Sequence, residues 1–135
     1  MKLKAKIAIP GKVVWEGEAK EIGIQTTTGK IGILPNHAPL VAAIETSVLS
    51  IKDENTTLMV ISDGYLSLEK NSIFIATDRC ILEEKIDPKK LDTDYKLAKE
   101  RYNEAKKPGK KYIANKALKR IKACYEILDY RKANS

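Results

Sequence analysis

Side chains that usually carry covalent or metal chemistry are scarce in this chain of 135 residues: one histidine, His37, and two cysteines, Cys80 and Cys124. His37 has no second histidine with which to hold zinc, and neither cysteine stands at a spacing that would give it a partner base. Cys80 and Cys124 match no metal-ligand or thioredoxin-like pattern, so two reduced thiols in a reducing compartment are expected. Gly29-Lys30 and Gly109-Lys110 are followed by Ile31 and Lys111, not by the Ser or Thr of a phosphate-cradling loop. Glu83-Glu84 and the pair Asp92 and Asp94 read as surface or early-helix charges. No nucleophile beside a base, paired carboxylates or metal cluster assembles, which predicts a non-enzymatic binding or regulatory subunit with no metal and no cofactor.

The remaining chemistry is non-covalent and sits in two places. Between Lys106 and Cys124 there are eight basic residues, Lys106, Lys107, Lys110, Lys111, Lys116, Lys119, Arg120 and Lys122, and no acidic one. Such a run suits a surface of Asp and Glu, or is a solvated helix face. Only Tyr112 and Tyr125 lie close by and no RNA-recognition or zinc-finger signature accompanies them, so nucleic acid ranks lower. The second place is Gly29 to Leu40, which gathers the histidine, Pro35, Pro39, Gly29 and Gly32 into a short apolar strand entering a stiff corner. Pro35 fixes its own φ, and Pro39 biases Ala38 towards extended backbone. This segment is either a shaped docking edge or a plain strand-turn-strand link.

The elements that must position these two places differ in kind. Residues 1–86 carry net charge −1 and residues 87–135 net charge +8, so the whole excess of +7 is C-terminal. Before the boundary, short alternating runs recur between turn signals: Leu3-Ala5-Ile7-Ile9, Val13 and Trp15, Ile22-Ile24, Ile31-Ile33, Leu40-Ala42-Ile44, Leu49-Ile51, Leu58-Val60, Leu66-Leu68 and Ile73-Ile75. About nine or ten short strands at this spacing predict an all-β sandwich or barrel with an apolar inner face. After Asp87-Pro88 the period becomes helical, with Asp87 as N-cap and Pro88 as the first helical residue. Leu91, Tyr95, Ala98, Tyr102 and Ala105 form one stripe, and Ile113, Ala117, Ile121, Cys124 and Leu128 another. Lys107-Pro108-Gly109-Lys110 is expected to break them into an antiparallel helical hairpin. The fold class is therefore α+β, with a sandwich over 1–86 and a hairpin over 87–135. No run is apolar enough to span a membrane, and Met1-Lys2-Leu3-Lys4-Ala5-Lys6 lacks the apolar core of a signal peptide.

Both helical stripes are thin in large side chains. Each buried large residue is worth roughly 1.5–3 kcal/mol before ordering entropy, so the hairpin is expected to be marginal alone and open to capture by something else.

A sandwich followed by a helical hairpin, with Gly29-x-Ile31-Gly32-x-Leu34-Pro35-x-His37-Ala38-Pro39-Leu40 in the sandwich, resembles the epsilon subunit of rotary ATP synthase. Val14-Trp15 with Glu16 and Glu18, Lys20-Glu21-Ile22, Asp63-Gly64 and Ile86-Asp87-Pro88 support the resemblance, which covers the whole chain and looks like the plastid branch. It implies a rotor part that joins the gamma subunit to the membrane-embedded c-ring. Contact is then expected at Lys30, Ile31, Leu34, Pro35, Asn36, His37, Ala38, Pro39 and Leu40. It further implies that the hairpin extends along gamma, where Lys110, Lys111, Lys116, Lys119, Arg120 and Lys122 approach an acidic segment of the catalytic beta subunit and restrain ATP hydrolysis. The implied location is the stromal side of the plastid thylakoid membrane, or the cytoplasmic side of a bacterial plasma membrane.

Some bacterial relatives hold ATP between these helices through Ile/Leu-Asp-x-x-Arg-Ala and further arginines. Here Ile86 and Asp87 match, but Lys90 and Leu91 replace Arg-Ala, Leu97 and Cys124 stand at two other basic positions, and only Arg120 fits, so no nucleotide is expected. The alternative from another class is a free-standing basic adaptor that binds RNA or acidic proteins through the hairpin.

Overall fold

A computed structural model describes residues 1–135. Ten strands come first: β1 (Leu3–Ile9), β2 (Lys12–Ala19), β3 (Glu21–Thr26), β4 (Gly29–Ile33), β5 (Leu40–Ile44), β6 (Ser47–Lys52), β7 (Thr56–Ile61), β8 (Gly64–Glu69), β9 (Ser72–Thr77) and β10 (Cys80–Leu82). A 3-10 turn at Glu83–Lys85 leads to α1 (Pro88–Glu104) and α2 (Pro108–Ala133). The strands hydrogen-bond in the order β10-β7-β6-β3-β5-β8-β9-β1-β2, with β4 also on β3. All pairs are antiparallel except β1 with β9.

This continuous sheet folds over its own apolar face, because the alternation in each strand sends one set of side chains inward. Leu3, Ile7, Ile22, Ile24, Ile33, Leu49, Met59, Ile61, Leu66 and Ile75 are among the side chains that fill the interior. Strand β7 departs from the expected pattern. Leu58 and Val60, read from the sequence as inner-face residues, point outward to the helices, and Met59 and Ile61 point into the core. All four are buried because β7 is covered on both sides, and a strand buried twice reads as a continuous apolar run that hides its own phase.

Asp87 caps α1 as expected: its side chain accepts the Lys89 backbone N–H at 3.0 Å, and Pro88 follows in the first helical position. The break between the helices lies at Ala105-Lys106-Lys107, earlier than the sequence suggests. Pro108 and Gly109 open α2 instead, since the first turn of a helix has no partner for the N–H that proline lacks.

Helix α2 lies against β6 and β7, and α1 packs along α2. Leu91, Ala123, Cys124 and Ile127 close over Leu58 and Val60 in a second, smaller apolar cluster. Ile113, expected in the buried stripe, is 68% exposed; Ala114 and Leu118 are the buried residues of that part of the helix. A helix sandwiched between a sheet and another helix needs two apolar stripes, and a one-stripe reading of α2 misplaces its ends. Neither helix is long and apolar enough to cross a membrane.

Candidate interaction surfaces

The corner after β4 is built as a tight turn. His37 N–H donates to the Leu34 carbonyl at 3.2 Å across Pro35 and Asn36, and Asn36 has φ +69°, the arrangement of a type II turn with proline second. Asn71, in the two-residue turn between β8 and β9, pins this corner from outside. Its Oδ1 accepts the Asn36 backbone N–H at 2.6 Å, and its own carbonyl accepts Lys4 N–H at 2.8 Å. From sequence, Asn71 reads only as a turn residue, and nothing local to it announces a contact 35 positions away. We expect Asn71→Gly, which keeps the left-handed turn but removes the acceptor, to speed hydrogen exchange of the Asn36 amide about tenfold with little change in melting temperature.

Within the expected contact set, Leu34, Asn36, His37, Ala38 and Pro39 are exposed and Pro35 is half-buried. Ile31 and Leu40 are half-buried and pack against the interior, because strand alternation places them on the same side as Ile33 and Ile44. Lys30 is exposed but stands at the other end of β4, lining a groove with Ser47, Glu126 and Tyr130. His37 Nδ1 lies 2.7 Å from the Ala38 carbonyl, so its ring is tied to local backbone.

A second surface lies elsewhere on the sheet. On the outer face of β5, β8 and β9, where alternation leads one to expect polar groups, stand Val41 (77% exposed), Tyr65 (65%) and Phe74 (44%). Val13 (48%), read from the sequence with Trp15 as an inner-face residue, joins them because the β1–β2 ladder shifts register between Trp15 and Val13. Register makes them neighbours: Val41 faces Ser67, which faces Phe74, and Tyr65 faces Ala76, which faces Ala8 and then Val13. The signal was present as apolar residues at outward positions. An exposed apolar patch of this kind is a candidate interaction surface.

The basic run lies along the start and middle of α2. Lys110, Lys111, Lys119 and Lys122 are exposed, whereas Lys116 and Arg120 are half-buried against the sheet. Lys116 forms an ion pair with Asp63, at the β7–β8 junction. Burial first, and then the Arg79 cation, pull the Arg120 guanidinium below its ordinary range, with Asp78 opposing. Farther along, Arg131 grips Glu83 through two nitrogens, Nη2 to Oε1 at 2.7 Å, and donates from Nη2 to the Thr56 carbonyl at 2.8 Å. Tyr125 donates its hydroxyl to Asp92 on α1, and that carboxylate, more than any other cause, pushes the Tyr125 pKa up to about 12.

The cysteines are free and shielded: burial pushes the Cys80 thiol up to about 11 and raises that of Cys124. Thiols so shifted are poor nucleophiles. No group of three His, Cys, Asp or Glu side chains comes together in a way that could hold a metal ion.

Residues 2–83 match the family model described as the ATP synthase delta/epsilon chain beta-sandwich domain. The ATP synthase epsilon chain, chloroplastic, of Bigelowiella natans is 76% identical over 134 residues, covering 97% of this chain and 98% of that relative. The chain belongs to the ATP synthase epsilon chain family. A chain in the cryo-EM structure of the Euglena gracilis mitochondrial ATP synthase OSCP/F1/c-ring assembly is 19% identical and superimposes with a TM-score of 0.81, over 94% of this chain and 81% of that one. One in the central stalk and c-ring of the Tetrahymena thermophila mitochondrial ATP synthase is 13% identical, with a TM-score of 0.65 over 94% and 96%. At such identities the likeness is one of fold, and it extends through strands and helices alike. As an epsilon chain the molecule is a subunit of a larger assembly and not its catalytic one.

Proposed function

We propose that this chain is a rotor subunit of a plastid ATP synthase, located on the stromal side of the thylakoid membrane, that couples c-ring rotation to the gamma subunit and restrains ATP hydrolysis through its helices. The observation that carries the reading is the division of the outer sheet surface into two apolar areas. One, on β6 and β7, is covered by the chain's own α2; the other, around Val41, Tyr65 and Phe74, is open. Residues 1–86 act as the docking body. The open face seats gamma, and the Leu34–Pro39 corner, held rigid by Pro35 and Asn71, rests on the polar loops of the c-ring. A part that transmits torque is served by such stiffness.

Residues 87–135 act as the regulatory element. Leu91 and Ala98 are the only buried residues of α1, so the hairpin gains little from its own packing and depends on what it lies against. Released, its lysines and Arg120 meet acidic side chains of the catalytic beta subunit. Several exposed pairs at about 0.2–1 kcal/mol each, added to helix packing, are enough to hold it there, and salt weakens the hold.

Reconstitution tests both halves. Returned to an ATP synthase stripped of its own epsilon chain, the full chain is expected to restore proton-coupled ATP synthesis. A chain ending at Asp87 is expected to restore coupling too, while ATP hydrolysis rises about two- to tenfold, equivalent to about 0.4–1.4 kcal/mol in the barrier. Unchanged hydrolysis rejects the inhibitory hairpin; failure of both chains to restore synthesis rejects the rotor assignment.

A further inference from the structure

The basic run of α2 already has an acidic partner, and it lies within the same chain. Asp63 is held in place before α2 reaches it: its Oδ1 accepts both the backbone N–H and the hydroxyl of Thr46, each at 2.9 Å. That leaves Oδ2 facing outward, where it takes the Lys116 ammonium. The neighbouring acids extend the same rim: Glu45 attracts Lys116 and Asp78 attracts Arg120, although burial and neighbouring cations outweigh them and pull both groups below their ordinary range. Glu45, Asp63 and Asp78 therefore line the ends of β5, β7 and β9 opposite the two half-buried cations of the run.

We propose that this rim, centred on Asp63, is an internal decoy that occupies Lys116 in the folded hairpin and must be abandoned before the run can meet an acidic partner outside. The proposal rests on the reading of the hairpin as a releasable element and adds what sets its release. A carboxylate fixed by two hydrogen bonds loses little further freedom on pairing, so Asp63 holds its lysine better than a free surface acid does. Lys116 in turn stacks its ammonium 5.1 Å from the Tyr112 ring centre, so its side chain is confined as well. The rim selects among partners: only one offering several acids at once displaces it.

Cys124 provides the readout. It is 3% exposed in the cluster between α2 and β7, so alkylation by N-ethylmaleimide reports opening of the hairpin. In the full-length chain with Cys80→Ser, Asp63→Asn retains an oxygen for Thr46 but removes the charge facing Lys116. We expect it to label at Cys124 about tenfold faster, and Lys116→Gln, which leaves the Thr46 contact untouched, to do the same. The double variant is expected to label no faster than either single one. Unchanged labelling in either single variant, or multiplied rates in the double one, overturns the decoy. In the reconstituted complex Asp63→Asn is expected to lower ATP hydrolysis. Faster labelling with unaltered hydrolysis keeps the decoy and removes the inhibitory role from the hairpin.

Discussion

Gly64→Ala is expected to cost about 3–5 kcal/mol of stability, a large part of the 5–15 kcal/mol available to a domain of this size. Gly64 opens β8, between Ile44 of β5 and Thr77 of β9. A Cβ there would lie 1.9 Å from the Ala76 carbonyl oxygen and 2.9 Å from the Thr77 Cα. Both are backbone atoms of a central strand, so no rotamer change relieves the clash and β9 must move away from β8. Strands β9 and β1 form one of the sheet's joints, and the displacement spreads to the interior through Ile75 and Ile7. Urea denaturation is the direct measurement, with Gly109→Ala as its control. Gly109 has open space where a Cβ would go and lies in the first turn of α2, so alanine there is expected to be neutral or stabilising by up to about 1 kcal/mol. A Gly64→Ala chain within 1 kcal/mol of the parent would show that β9 yields freely. The variant also strikes at Asp63 next door, so surviving protein should show a looser hairpin.

The sandwich and the hairpin were legible because period is a local property. Ile22-Ile24 or Leu66-Leu68 needs only its own alternation to declare which way it faces, and Asp87-Pro88 needs only two residues to start a helix. What was illegible depends on a second layer. Leu58 and Val60 look like core residues of any strand until α2 is laid over them, and Ile113 looks buried until the helix runs past the end of its support. The same holds for the candidate sites. The Pro35–Asn36 turn follows from residue types, but Asn71 enters through a long-range contact, and Asp63 through an ion pair spanning 53 positions. The Val41, Tyr65 and Phe74 face was written in the sequence as apolar residues on the wrong side of alternating strands, a pattern easily taken for noise when each strand is read separately.

Val60→Asp is expected to have an effect opposite to that of deleting the hairpin. Val60 is 1% exposed, and its side chain meets the helices, whereas its neighbours Met59 and Ile61 hold the interior. A carboxylate at that position cannot remain charged under Ile127 and Cys124 without several kcal/mol of desolvation cost, more than the thin packing of the hairpin returns. The sheet has no need to unfold, because the new charge reaches water as soon as α2 lifts away. Cys124 should then react with N-ethylmaleimide nearly as fast as a free thiol, while the strands keep their hydrogen-exchange protection. If the released helices restrain catalysis, Val60→Asp lowers ATP hydrolysis in the reconstituted complex and deletion after Asp87 raises it. The two changes remove the same packing between α2 and β7, yet one sets the helices free and the other eliminates them. Only a hairpin that acts when released separates their effects in sign; one whose sole role is to cover β7 makes both changes move hydrolysis in the same direction.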